Sequence, residues 1–319
     1  SSWSRELVQE CRGIILDSDN DWGVVSMPYK KFFRHDEALA PAINWKVAKT
    51  WEKLDGTLMT MYRYDGDWHV STPGVPDAGV RAPDSHLTFA ELFWRTAEKQ
   101  KMNLGGLDTN YCFMFELCTT ENRVVVKYPK DRLVLHGVRH IPTLREVDPM
   151  PFGTFMGAEL PKLYDLSSLE AAFRAAQELV PVEGEGYVVY DGINRIKVKN
   201  LGWSALHHAK DVAESRKKLA LVCRNGDVQK FWDSLEEFPD VQEKFNQIHT
   251  KYLAIIQKAN ETFESIRFIE DQKEYALKVM QIAPELQAIL FSMRKTGCNP
   301  KAFMANMSEQ AFFRLMGIK

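Results

Sequence analysis

The chain has 319 residues, 45% of them hydrophobic and 26% charged, an ordinary globular composition with enough length for one large or two medium domains. Its 41 Lys and Arg against 43 Asp and Glu leave a formal charge of −2, which excludes a polybasic protein and confines any nucleic-acid contact to a local basic groove. Five cysteines without a CxxC pair exclude a disulfide scaffold and a structural zinc site. The opening SSWSRELVQE has no signal-peptide core, and no apolar run is long enough for a membrane span, so a reducing, cytoplasmic setting without membrane contact is expected.

Residues 1 to about 202 read as short strands with turn punctuation. Cys11–Asp17 and Trp22–Ser26 flank SDND as one hairpin. Thr57–Tyr64 and Trp68–Thr72 flank Asp65-Gly66 as a second, and Asp-Gly between alternating hydrophobics is a strong turn signal. Thr88 with Glu91, and Ser167 with Glu170, have capping-box spacing ahead of apolar-periodic runs and predict two helices. Tyr111–Leu117, Arg123–Lys127 and Arg132–Val138 are three further strand candidates. Tyr187–Tyr190 and Ile193–Lys199 around Asp191-Gly192 make a third hairpin. The pattern predicts an α+β domain dominated by antiparallel sheet.

From about residue 203 the periodicity changes. Segments 203–224, 240–258, 261–281, 284–295 and 308–316 carry apolar residues at three-and-four spacing, with Phe245, Ile248, Tyr252, Ile255 and Ile256 as one stripe. Gly297 stands where a helix C-cap belongs. Residues 203–319 are therefore expected to be an all-helical second domain. His207, His208 and Lys210 with the run Arg216-Lys217-Lys218 read either as a solvated helix face or as a phosphate-contacting edge.

The chemistry concentrates in short segments. Lys53-Leu54-Asp55-Gly56 offers a lysine before a tight turn. Glu116 follows Phe113, Met114 and Phe115, so a carboxylate interrupts an apolar run and needs partners. Asn122-Arg123 precedes Val124-Val125, and a turn leading into a strand is an adequate account of it. Glu185 opens an apolar strand, two residues after Glu183. Lys197 and Lys199 alternate with Ile196 and Val198, so both ammonium groups point to one strand face. A lysine that attacks phosphorus must be neutral, and neighbouring cations and burial lower an amine's pKa. Lys197 and Lys199 are either two solvent-facing lysines on an amphipathic edge strand or cations that would lower the pKa of a neighbouring Lys53.

Taken in this order, the segments resemble the lysine nucleotidyltransferase superfamily of ligases and capping enzymes. More closely, residues 10–200 resemble the ATP-dependent RNA ligases of the bacteriophage T4 RNA ligase type. The resemblance implies a nucleotidyltransferase fold of ATP-grasp-like antiparallel sheets with helices over 1–202, followed by the helical domain. It implies Lys53 as the nucleophile that becomes AMP-lysine, and Lys197 and Lys199 as catalytic and phosphate-binding. Glu116 is expected on the ribose and Val188 under the adenine, with Leu135 or His136 as candidates for the other face. A metal, Mg²⁺ or Mn²⁺, is expected on Glu185 through water, with Asp55 as a further candidate. Arg12, in an Arg-Gly element upstream, is expected near the phosphates of ATP or the RNA 5′-phosphate. Where relatives often carry a basic residue, this chain reads Ser71-Thr72-Pro73-Gly74, so Arg81 is a substitute candidate.

DNA ligases and capping enzymes follow this domain with a β-barrel, which residues 203–319 do not resemble, and DNA ligases usually carry arginine where Leu58 stands. The resemblance therefore implies an ATP-dependent RNA ligase joining RNA 3′-hydroxyl and 5′-phosphate ends, acting in the cytoplasm (the host's, if the chain is viral). Nicked tRNA is a candidate substrate, an end-healing kinase/phosphatase a candidate partner, and the helical domain the candidate seat of RNA specificity. The alternative is a catalytically silent RNA-binding protein that retains the fold.

Overall fold

The structure, a computed structural model, describes residues 2–209 and 212–318. It divides into two compact units, Ser1–Asn200 and Leu201–Lys319.

The first unit opens with helix α1 (Glu6–Glu10), the hairpin β1 (Ile15–Asp17) and β2 (Gly23–Ser26), and the short β3 (Phe33–Arg34). Then come β4 (Lys49–Lys53), β5 (Thr57–Tyr64), β6 (Asp67–Ser71), helix α2 (Phe89–Lys99), β7 (Tyr111–Cys118), β8 (Arg132–His140) and β9 (Arg145–Val147). Helix α3 (Met150–Met156), β10 (Leu163–Tyr164), helix α4 (Leu169–Glu178), β11 (Gly186–Tyr190) and β12 (Arg195–Lys199) complete it. One five-stranded sheet runs β10-β4-β11-β12-β3 and the other β6-β5-β7-β8-β9; all pairs are antiparallel except β12 with β3.

Each sheet buries one face under a helix. Leu92, Phe93 and Ala97 of α2 pack on Met59, Phe113, Phe115 and Leu133. Ala172 and Ala176 of α4 pack on Tyr187, Val189, Ile196 and Val198. Because strand side chains alternate, the residues between these are turned to the other face. The two sheets approach where Arg195 of β12 grips Glu146 of β9 through two nitrogens, at 3.1 and 2.7 Å.

The three expected hairpins form, and Thr88 with Glu91 closes a full capping box on α2. The second helix begins one residue later than expected, with Ser168 rather than Ser167 capping Ala171 N. Residues 123–127 are not a strand. Asp55 Oδ2 accepts from the amides of Val125 (2.8 Å) and Val126 (2.6 Å), so a side chain takes the bonds a sheet ladder would use.

The second unit is helical throughout its described residues: α5 (Leu201–His207), α6 (Val212–Asn225), α7 (Val228–Asp233), α8 (Pro239–Ile266), α9 (Gln272–Ile282), α10 (Gln287–Thr296), α11 (Pro300–Ala305) and α12 (Glu309–Leu315). Segments 240–258 and 261–281, expected as two helices, meet differently: α8 runs unbroken to Ile266, because nothing between residues 258 and 261 breaks a helix. Phe245, Ile248 and Tyr252 of the anticipated stripe are buried. Gly297 takes the left-handed cap conformation at φ +68. Of the basic run, Arg216 is exposed but Lys218 is buried, so it is not a uniformly solvated face. Lys210 lies outside the described residues. No helix among the described residues is long and apolar enough to cross a membrane.

Candidate active site

The register of β4, β11 and β12 aligns the site. Gly186 pairs with Lys53 on one side and Lys199 on the other; in the next row on that face Val188 stands between Trp51 and Lys197. Tyr187, Val189, Ile196 and Val198 face α4, so Lys53, Trp51, Val188, Lys197 and Lys199 share the opposite face. Gly186 is required there. Its φ is +141, and a Cβ would lie 2.1 Å from the carbonyl oxygen of Val198.

Glu185, only 3% exposed, sits between two of these cations. Its Oε2 accepts from Lys53 Nζ at 2.9 Å and its Oε1 pairs with Lys199 Nζ at 2.8 Å. Burial by itself lowers the Lys53 ammonium's pKa, but the carboxylates of Glu185 and Glu116, with Asp55, outweigh it and hold the group above its ordinary value. The expected depression falls on the other two lysines. Burial, with Lys199, Lys53 and Lys31 nearby, brings Lys197 down to about 7. Lys199 is lowered by burial, against the pull of Glu185. In this state Lys53 is therefore protonated, held so by the Glu185 carboxylate 2.9 Å from its Nζ.

Glu116 projects from β7 between the buried Phe115 and Leu117. Its Oε1 accepts from Gly56 N at 3.1 Å, and Oε2 is 3.5 Å from His136 Nε2. Gly56 is dictated by close approach of strands: a Cβ would meet the carbonyl oxygen of Leu117 at 2.3 Å. Asp55, 3% exposed, holds the 125–126 loop through Oδ2 while its own amide donates to the Tyr128 hydroxyl at 2.9 Å. An amine, flanking ammonium groups and two carboxylates on facing strands suit nucleotidyl transfer, where charge on phosphorus oxygens must be neutralised.

The family model described as RNA ligase, of the T4 type, matches residues 10–203. The chain belongs to the T4-type RNA ligase family. The RNA ligase of Rhodothermus phage RM378 is 28% identical over 323 residues, covering 80% of this chain and 72% of the phage protein. A putative bifunctional polynucleotide kinase/RNA ligase of Autographa californica nuclear polyhedrosis virus is 30% identical over 247 residues, 70% of this chain but 34% of its own length. Among solved structures, a Naegleria gruberi RNA ligase variant with ATP and Mn aligns with TM-score 0.38 at 19% identity over 51% of each chain. The same protein with PPi aligns at TM-score 0.39 and 16% identity over 60% of this chain and 67% of that one.

The remaining expected residues of the ligase fall into two groups. Arg12 is half-buried, and burial lowers its pKa while Glu116 opposes this, which places it in the electrostatic reach of the site. Gly13 beside it, at φ +78, packs against Pro73, so the Arg-Gly and Ser-Thr-Pro-Gly elements touch. Arg81 is not brought in. It bridges to Thr88 at the start of α2 and faces Glu91. Asp55 Oδ2 serves the loop, and the charge of the carboxylate also acts on Lys53 and Lys199. Glu183 is exposed. Leu135 is fully buried in the α2 core and cannot cover a base. His136 stacks on Tyr29 at 5.5 Å between centroids.

Two groups escaped the sequence reading. Trp51 neighbours Val188 on the lysine face; alternation back from Lys53 would have found it. Lys31 and Phe32 precede β3, and Lys197 Nζ lies 5.5 Å above the Phe32 ring. Lys31 also acts on Lys197 electrostatically. Asn122, in the Asn122-Arg123 pair that matches a family pattern but is also accounted for as a turn, is 2% exposed and donates to Thr57 Oγ1 (3.0 Å) and Leu117 O (2.8 Å), tying the start of β5 to the end of β7.

Proposed function

We propose that this ligase uses ATP to join RNA 3′-hydroxyl and 5′-phosphate ends, with Lys53 as the nucleophile. The observation that carries the reading is the shared strand face of Lys53, Lys197 and Lys199 around the buried Glu185, with Glu116 opposite. The charged Lys53 must first lose a proton; its neutral Nζ then bonds to the α-phosphorus as the bond to the pyrophosphate oxygen breaks, and the adduct sheds a second proton. The nearest acceptor for its proton is Glu185, 2.9 Å away. AMP then passes to an RNA 5′-phosphate, and a 3′-hydroxyl displaces it to form the phosphodiester. Lys197 and Lys199 neutralise the phosphates, Arg12 contacts them or the RNA 5′-phosphate, Glu116 accepts from the ribose, and Val188 with Trp51 floors the base.

Among the described residues no three His, Cys, Asp or Glu gather as a metal cage. That sparse set fits Mg²⁺ or Mn²⁺, since a hydrated cation needs one or two carboxylates and the substrate's phosphates. Glu185 would hold it through water. When bound, such an ion supplies charge neutralisation at the transferring phosphate.

The viral relative's name joins a kinase to a ligase, which supports a kinase as a partner of this chain; a phosphatase beside it, nicked tRNA as the RNA and the cytoplasm as the place are further parts of the proposal. Residues 203–319 act as the domain that selects the RNA, and residues 1–202 as the adenylyltransferase. The converging lysines and carboxylates weigh against a silent RNA-binding protein. Incubation with α-labelled ATP should label the chain, and Lys53→Ala should abolish the label; a persisting label would remove Lys53 as nucleophile.

A further inference from the structure

A cavity of about 430 Å³, whose lining does not include Lys53, lies in the first unit between the β11–β12 turn with the start of β12, strand β9, and the segment before β3. That volume suits a ligand of nucleotide size. Five cations line it, against two carboxylates: Lys30, Lys31, Arg139, Arg145 and Arg195 with Glu10 and Glu146. Both carboxylates are already engaged. Glu146 is gripped by Arg195 at 2.7 Å, and Glu10 is paired with Arg139 at 3.4 Å and Lys30 at 3.8 Å. The rim therefore keeps a surplus of positive charge, at Arg145 and Lys31.

The cavity also has a preformed apolar edge. Ile193 is 88% exposed at the tip of the β11–β12 turn, beside Leu39 and Pro41. That tip is rigid. Asp191 Oδ1 accepts from the amides of Ile193 (3.0 Å) and Asn194 (2.7 Å), and Oδ2 accepts from Asn44 N at 2.8 Å. Asn194 Nδ2 donates to Ala42 O at 3.2 Å. A large apolar side chain held outward beside Lys31 and Arg145, cations without a salt bridge among the described residues, suits a single-stranded nucleic acid, which presents an apolar base face and a phosphate together. Lys31 lines this cavity and also acts electrostatically on Lys197, while Arg12 acts on Lys31, so the cavity and the lysine face share one positive field.

We propose that this cavity takes a nucleotide of the RNA strand, its phosphate on Arg145 and Lys31 and its base on Ile193, apart from the nucleotide at Lys53. The inference rests on the ligase reading. The test compares the full chain with Arg145→Ala and Ile193→Asp, measuring lysyl-AMP formation with labelled ATP and anisotropy of a 5′-phosphorylated single-stranded oligoribonucleotide. Both variants should keep adduct formation. Ile193→Asp should weaken RNA binding about tenfold, since it removes the apolar contact to the base and sets a carboxylate beside the phosphate. Arg145→Ala should reduce the slope of log affinity on log salt by about 0.7, one phosphate contact on a single strand. RNA affinity and salt slope unchanged in both variants would overturn the proposal, as would competition by free AMP for the same residues with no effect on RNA. A wild-type chain that forms no adduct yet binds RNA through Arg145 would overturn the ligase reading and leave this site standing.

Discussion

Lys197 gives the sharpest pH prediction. Without nucleotide its pKa is brought down to about 7, chiefly by burial and then by Lys199, Lys53 and Lys31. Polyphosphate placed against it reverses the balance and returns the amine to the charged form. Binding therefore takes up protons wherever the free amine is neutral, about 0.1 at pH 6 and about 0.9 at pH 8. With a bound-state pKa near the ordinary lysine value, affinity for α,β-methylene ATP should fall about tenfold from pH 6 to pH 8, or about 1.4 kcal/mol. Calorimetry in buffers of different ionisation enthalpy reads the uptake directly, and Lys197→Met subtracts the nucleotide's own titration. The wild type should take up close to one proton more than Lys197→Met at pH 8 and almost none more at pH 6. Equal uptake by the two proteins at pH 8 would refute the reasoning. The same depression has a stability consequence. The unfolded chain holds the Lys197 proton between pH 7 and 10.5 while the folded chain does not, so this residue's contribution makes stability rise with pH across that window.

Other changes have defined outcomes. Asp55→Ala leaves the amides of Val125 and Val126 without their acceptor, and chemical denaturation should show a loss of about 2–3 kcal/mol. Gly56→Ala forces a Cβ against the Leu117 carbonyl oxygen, so thermal unfolding should shift downward and adduct formation should fall together. Glu185→Gln removes the carboxylate that holds Lys53 charged; the reactivity of Lys53 toward an amine-directed acylating reagent at pH 8 should rise, while adduct formation from ATP should drop at least a hundredfold.

Much of the site was legible because strands write their faces at period two. Ile196-Lys197-Val198-Lys199 displays the cation face, and Phe113 to Leu117 marks Glu116 as a carboxylate turned from the core. Hairpins were legible where Asp-Gly fixed the turn. What escaped depends on contacts distant in sequence. The loop at 123–127 is valine-rich, yet Asp55 takes its amides, so β propensity yields to a side chain some 70 positions away. Trp51 carried a readable alternation, but its neighbour Val188 joins it only through sheet register. The charge state of Lys53 was the main reversal. Counting lysines on a strand face predicts a depressed pKa, whereas the buried Glu185 carboxylate that decides it enters from the neighbouring β11.

The measurement that bears most directly on the ligase chemistry is peptide-level mass spectrometry after incubation of the intact chain with ATP and Mg²⁺. The account predicts a gain of a single AMP, acid-labile and confined to the peptide carrying Lys53, which disappears when a 5′-phosphorylated RNA is added. AMP found on Lys197, Lys199 or any other residue, or no gain with either Mg²⁺ or Mn²⁺, would contradict it.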